Sequence, residues 1–306
     1  MRFTAAGDFD STRNTDAVLR TIKTLDSDFT LAIGDLSYGS RGTEKAWCDY
    51  VTSHLGRNYP FELLAGNHES NGQDGFIDAF ASCLPNRLAG LVGTYGRRYY
   101  VDVPADKPLV RLISISPRLR FPEGRSDYRS GSADYTWTAR AIDSARSKSI
   151  PWVAVGMHHP CITVGIYGCE SGSDVFNLLL AKRVDLILSG HDHSYQRSKQ
   201  LALNDRCPSV KLDAVDPDCI VNSGSQQLAR GAGTVAIVAG TGGRHLYDVH
   251  QADPEDGYFT TFSGANHDPS HGVVDVTATS KMLRLSFVRA SDGNRQDSFQ
   301  ITASSR

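Results

Sequence analysis

The side chains able to do chemistry gather in five short blocks: Gly7-Asp8, Gly34-Asp35-Leu36-Ser37-Tyr38, Gly66-Asn67-His68-Glu69, Val155-Gly156-Met157-His158 and Gly190-His191-Asp192-His193. They offer carboxylate and amide oxygens, imidazole nitrogens and one phenol, the donors that hard and borderline metal ions take. Asp8, Asp35, Tyr38, Asn67, His158, His191 and His193 together exceed what a single ion needs. Asp35 has two carboxylate oxygens and can bridge a pair of ions about 3.5 to 4 Å apart, the arrangement of two-metal catalysis. The phenol of Tyr38, with a free pKa near 10, joins such a site only where a strong Lewis acid displaces its proton. Ferric iron suits phenolate and carboxylate, whereas zinc or manganese suits the Asn and His side. Each donor alone has a plainer reading: an Asp after a strand caps a helix or turns the chain, and a Tyr near a turn packs. Two imidazoles at i and i+2 beside a glycine, as in the fifth block, resist that reading.

Something must bring these blocks together. Each follows a short apolar run that reads as a buried strand: Phe3 to Ala6, Phe29 to Ile33, Phe61 to Ala65, Trp152 to Met157 and Val184 to Leu188, with Thr234 to Ala239 a sixth. Helical patterns alternate with them. Asn14 or Thr15 caps a face of Val18, Leu19, Ile22 and Leu25; Asp134 precedes Trp137, Ala141, Ile142 and Ala145; Ser173 precedes Val175, Phe176, Leu179 and Leu180. The alternation predicts an α/β protein with βαβ units, and in such sheets ligands bind at the carboxyl ends of the strands. The last third reads as hairpins: Val273 to Thr277, Met282 to Val288 and Ser298 to Ile301, punctuated by Ser280-Lys281 and Asp292-Gly293-Asn294. With no internal repeat and no linker, residues 1–306 read as a single domain, and Arg118 to Ser132 as a long surface loop.

The five blocks, in this order, resemble those of the purple acid phosphatases within the binuclear, calcineurin-like metallophosphoesterase superfamily; Tyr38 marks the iron-containing branch. The resemblance implies Asp8, Asp35, Tyr38 and His193 around Fe(III), and Asp35, Asn67, His158 and His191 around Zn(II), Fe(II) or Mn(II). It implies a four-layer α/β/β/α sandwich of two packed mixed sheets. The expected activity is hydrolysis of phosphate monoesters, with metal-bound hydroxide attacking phosphorus and His68 as general acid toward the leaving oxygen. A phosphodiesterase or phospholipase-type esterase on the same metals is the alternative, and a noncatalytic phosphate-binding module the third reading. The chain departs from the family pattern in two places. The first block continues Asp8-Phe9-Asp10 where Asp-x-Gly is usual, and the position nine residues after His158, a substrate-binding histidine in many members, is Tyr167. Phosphate contact then falls to His159 or Tyr167, or is missing; His245, just past the glycine-rich Gly240-Thr241-Gly242-Gly243, is a further candidate for the pocket, and His54, His250, His267 and His271 read as surface residues.

Composition narrows the partners. In 306 residues, 32 basic and 34 acidic side chains leave a formal charge of −2, so no electrostatic case exists for a nucleic-acid scaffold or an anionic membrane. No apolar run nears the ~18 residues of a membrane span, and a small phosphate ester is the expected ligand. There is no Gly-x-Ser-x-Gly elbow and no P-loop. Six cysteines lack a Cys-x-x-Cys pair, and chain order suggests Cys48–Cys83, Cys161–Cys169 and Cys207–Cys219. Disulfides imply a secreted or periplasmic protein whose leader has been trimmed, with a cytoplasmic one the alternative.

Overall fold

The computed structural model describes residues 1–224 and 226–303. Two large mixed sheets pack face to face. In the first, seven strands run in the order Gln227–Ala229, Arg295–Thr302, Met282–Arg289, Gly272–Ala278, Arg2–Ala6, Phe29–Ile33, Phe61–Leu64. In the second, eight run Phe259–Ser263, Tyr195–Ser198, Val235–Ala239, Leu186–Ser189, Trp152–Gly156, Val110–Ser114, Arg98–Val103, Val92–Thr94. The three strands that begin the chain are parallel to one another, as are the four from Val110–Ser114 to Val235–Ala239. Six of these seven end beside the chemistry-bearing residues or the glycine-rich turn at 240–243.

Alternation along each strand sorts side chains between layers. Phe3, Ala5, Leu31, Leu112, Ala154, Leu186, Leu188 and Ile237 fill the space between the sheets, joined by Val274, Val276 and Leu285 from the C-terminal hairpins. The opposite face of the first sheet meets helices Arg13–Leu25, Glu44–Leu55 and Ile77–Cys83 through Val18, Leu19, Ile22, Trp47 and Phe80. The opposite face of the second meets helices Ala133–Ser147 and Ser173–Ala181 through Ile142, Ala145, Val175, Phe176 and Leu179. These layers are the four-layer sandwich expected. Burying about 80 side chains' worth of apolar surface in three such layers is the dominant favourable term in folding.

Several expected details shift. Thr12 caps the first helix, its Oγ1 accepting from the amides of Asn14 and Thr15 while Thr15 returns the bond; the threonine three positions earlier can close a capping box that Asn14 cannot. Ser132 and Gly172, not Asp134 and Ser173, precede the later two helices. Arg118 to Ser132 is more than solvated loop: Arg120–Phe121 pairs with Gly124–Arg125, and Leu119, Phe121 and Tyr128 are buried. His271 is half-buried with Nε2 2.9 Å from the Arg244 carbonyl, because the turn at 241–244 folds over it. All three cysteine pairs suggested by chain order are disulfides. Among the described residues no helix is long and apolar enough to cross a membrane.

Candidate metal centre

Where the parallel strands end, Tyr38 meets three other donors. Its Oη stands 3.0 Å from Asp8 Oδ1, 3.3 Å from Asp35 Oδ2 and 3.0 Å from His193 Nε2. His193 Nε2 is in turn 3.3 Å from Asp8 Oδ1. Donors bonded at about 2.1 Å to one ion, roughly 90 to 110° apart, are themselves about 3.0 to 3.4 Å from each other. The four donors therefore have the mutual spacing of a coordination shell. Burial, then the charges of Asp8 and Asp35, push the Tyr38 phenol well above its ordinary pKa. Without a cation it stays protonated, and only a strong Lewis acid would reverse that.

Asp35 faces a second group through its other oxygen. His158 Nε2 lies 3.3 Å from Asp35 Oδ1 and 3.2 Å from Asn67 Oδ1, and the His191 ring is 5.1 Å from that of His158. Burial opposes charge on both members of the Asp35–His158 pair, yet their attraction prevails. Asp35 is held well below the usual carboxylate range by His158 and His68, and His158 is raised to about 10. The outer ring nitrogens are already committed: His158 Nδ1 donates to the Ile33 carbonyl at 2.8 Å and His193 Nδ1 to that of His245 at 2.7 Å. Such bonds fix the tautomer that presents Nε2 inward.

The backbone bends hard to deliver these groups. Asp8, Asp10, Asp35, Tyr38 and His191 all have left-handed φ, between 50 and 70°. Non-glycine residues rarely adopt this region, and each costs on the order of 1 to 3 kcal/mol. Glycine serves where the approach is closest. A Cβ on Gly66 would lie 2.1 Å from Asp35 Oδ1, and one on Gly190 2.6 Å from Asp8 Oδ2. Glu69, fully buried behind the site, accepts from the amides of Asp35, Leu36 and Gly66 and ties two of the blocks together.

Residues 1–195 match the calcineurin-like phosphoesterase family, and residues 233–298 match a segment described as iron/zinc purple acid phosphatase-like protein C. The chain belongs to the calcineurin-like phosphoesterase family. A barley (Hordeum vulgare) protein named nucleotide pyrophosphatase/phosphodiesterase is 26% identical over 300 residues, covering 92% of this chain and 74% of its own. A protein of Arabidopsis thaliana named probable inactive purple acid phosphatase 27 is 25% identical over 306 residues, covering 95% of this chain and 46% of its own. The solved purple acid phosphatase PPD1 of yellow lupin (Lupinus luteus) superposes with a TM-score of 0.72 at 19% identity, over 99% of this chain and 54% of the lupin chain. This chain thus spans about half the length of the Arabidopsis and lupin proteins. Membership implies a centre for two metal ions, and the donor set of this calcineurin-like phosphoesterase, with its carboxylate shared between two groups, fits one.

Around the donors stand residues that shape access. His68 Nε2 is 3.7 Å from Asp35 Oδ2, while its Nδ1 bonds Asp74. Tyr167 stacks on His191 at 4.0 Å between centroids, and Tyr247 on His193 at 3.9 Å. His245 reaches the site through its backbone carbonyl, its ring exposed 5.5 Å from that of His193. His159 is 8% exposed with neither ring nitrogen bonded, and burial with His158 and His191 nearby depresses its basicity. Asp10, the residue that breaks the family's first block, pairs with Arg244 at 2.5 Å, and that guanidinium lies 4.4 Å over the Tyr38 ring. Four of the residues here escaped the sequence: Asp74, Glu170, Arg244 and Tyr247. Glu170 Oε2 is 2.9 Å from His191 Nε2, and only its place beside Cys169 signalled that it is fixed near the site.

Proposed function

We propose that this chain is a two-metal phosphomonoesterase of the purple acid phosphatase type, folded as one catalytic domain over residues 1–306. The observation that carries the reading is the meeting of Tyr38, Asp8, Asp35 and His193 within 3.0 to 3.3 Å. Those four would hold Fe(III), and Asp35, Asn67, His158 and His191 would hold Zn(II), Fe(II) or Mn(II). When bound, two such ions neutralise phosphate charge and bring the pKa of a water toward 7. The residues outside the donor set supply orientation and the proton. Asp74 accepts from Nδ1 of His68 and so turns Nε2 toward the site; the imidazolium form carries a second proton on Nε2, and that proton passes to the departing alkoxide or phenoxide oxygen, leaving the neutral Nδ1–H ring. His159, Tyr167 and His245, beside the donors, would orient the ester. The three disulfides support an oxidising, secreted or periplasmic setting.

A second reading has its own support. A cavity of about 610 Å³, lined by Arg118, Arg125, Arg129, Tyr128, Ser171 and Ser173 among others, begins one residue beyond Glu170. Asp127 and Asp174 also line it and Arg129 pairs with Asp127, which leaves Arg118 and Arg125 to meet a second substituent or phosphate of a diester or phosphoanhydride, and the barley relative's name points the same way. Comparing kcat/KM for an aryl phosphate monoester with that for the matching diester, on protein loaded with two metals, decides between them. The monoester reading expects a preference of tenfold or more for the monoester; a diester preference replaces it with the second reading.

A further inference from the structure

The group that stands out beyond the implied ligands is Glu170. Its carboxylate is 2.9 Å from His191 Nε2 and 3.7 Å from His159 Nε2. His158, His159 and His191 each present a nitrogen within 4.8 Å of the others. Both nitrogens of buried His159 lack a hydrogen-bond partner among the described residues, while the one close polar neighbour of His191 Nε2 on this side is the Glu170 carboxylate. Buried polar atoms left unsatisfied at one point mark a place where something else belongs. Three imidazoles and a carboxylate are a donor set for a borderline divalent ion.

The chain also fixes the main chain at Glu170 while leaving its side chain free to turn. Cys169 before it is bonded to Cys161, and Ser171 after it donates its amide to the Pro160 carbonyl at 3.1 Å. The side chain itself is 42% exposed. We propose that Glu170 is a displaceable ligand of the second ion, holding it in the resting enzyme and yielding its position to a phosphate oxygen of the substrate. This rests on the two-ion reading above. In the resting state the carboxylate offsets the ion's charge inside a largely buried site. On binding, one metal–carboxylate bond is exchanged for one metal–phosphate bond, and Glu170 swings toward solvent and the cavity lined by Arg118.

A ligand that competes with substrate has an effect of two opposite signs. In Glu170→Ala and in Glu170→Gln, zinc loaded at two equivalents is removed by a chelator; one equivalent is expected to be held about tenfold more weakly than in the wild type. Inorganic phosphate, titrated calorimetrically into the same loaded proteins, is expected to bind about tenfold more tightly, because no occupant has to leave first. Unchanged retention of both ions overturns the proposal. So does phosphate affinity that falls together with retention, the pattern of a residue that merely supports the loop. The underlying reading fails differently: a wild-type chain that never takes up two ions defeats it, and the role of Glu170 with it.

Discussion

Tyr38 sits half-buried in a left-handed backbone conformation at φ 50°, where burial and then the charges of Asp8 and Asp35 raise its pKa. Such an arrangement is costly unless a cation is present to take the phenolate. Ferric iron bound there gives a visible charge-transfer band, and Tyr38→Phe is expected to bleach it while leaving the divalent ion bound; a spectrum unchanged by the substitution assigns the colour elsewhere. His68 differs because it offers no donor needed to complete either shell. His68→Ala is expected to retain both metals and to lose about 10²- to 10⁴-fold in kcat, the usual contribution of a general acid. Loss of metal together with activity makes it a ligand instead. The seven candidate donors were legible in the sequence because each lies in a short glycine-containing block just past a strand, and the structure brings those blocks together. Tyr247 and Arg244 were not, since they belong to a turn whose meeting with the site depends on the second sheet's register, and nothing local announces it.

At the scale of elements, the segment from Cys161 to Cys169 does the most for its length. Asp192, between the two histidines of the fifth block, accepts from the Ile166 amide at 2.9 Å and from Thr163 Oγ1, clamping the segment to the site. The disulfide then fixes its end, so that Tyr167 lies on His191. Replacing both cysteines by serine is expected to cost about 2.5 kcal/mol of stability by loop-closure entropy. The same double variant is expected to lower kcat/KM at least tenfold at temperatures where the protein stays folded. Thermal unfolding and kinetics on one preparation check both; full activity in the variant shows that the clamp of Asp192 suffices. The strands that carry the donors were legible from apolar runs, and three helices from their 3.6-residue stripes; helices Glu44–Leu55 and Ile77–Cys83 and strands Arg98–Val103 and Val110–Ser114 were not read. The caps of the three helices were less legible: for the first, the sequence offered Asn14 or Thr15, and tertiary contact favours Thr12, whose Oγ1 also donates to the Gly243 carbonyl at 2.8 Å.

Across the whole molecule, the strand Arg2–Ala6 lies between Phe29–Ile33 and Gly272–Ala278, so the two ends of the chain share one sheet and one layer of core. That contact spans more than 250 residues, and no periodicity in the sequence encodes it. Buried acids follow the same global packing. Glu62 has no solvent exposure, and burial raises its pKa to about 7. In the unfolded chain it ionises from about pH 4.3 upward. Between these values the folded state binds the extra proton, so this residue's contribution favours folding in acid and is lost as pH rises toward 7. Glu62→Gln is expected to remove on the order of 3 kcal/mol of that pH dependence, seen as a smaller fall in Tm between pH 4.5 and 7; an unchanged slope shows that Glu62 titrates normally. Whether two ions act together at Asp35 is read from a metal titration of the metal-free chain that follows bound metal and aryl phosphate turnover together. Turnover is expected to appear only as the second equivalent binds, and Asp35→Ala is expected to abolish both. Turnover that is complete with one ion or none, or that survives in Asp35→Ala, contradicts that joint action.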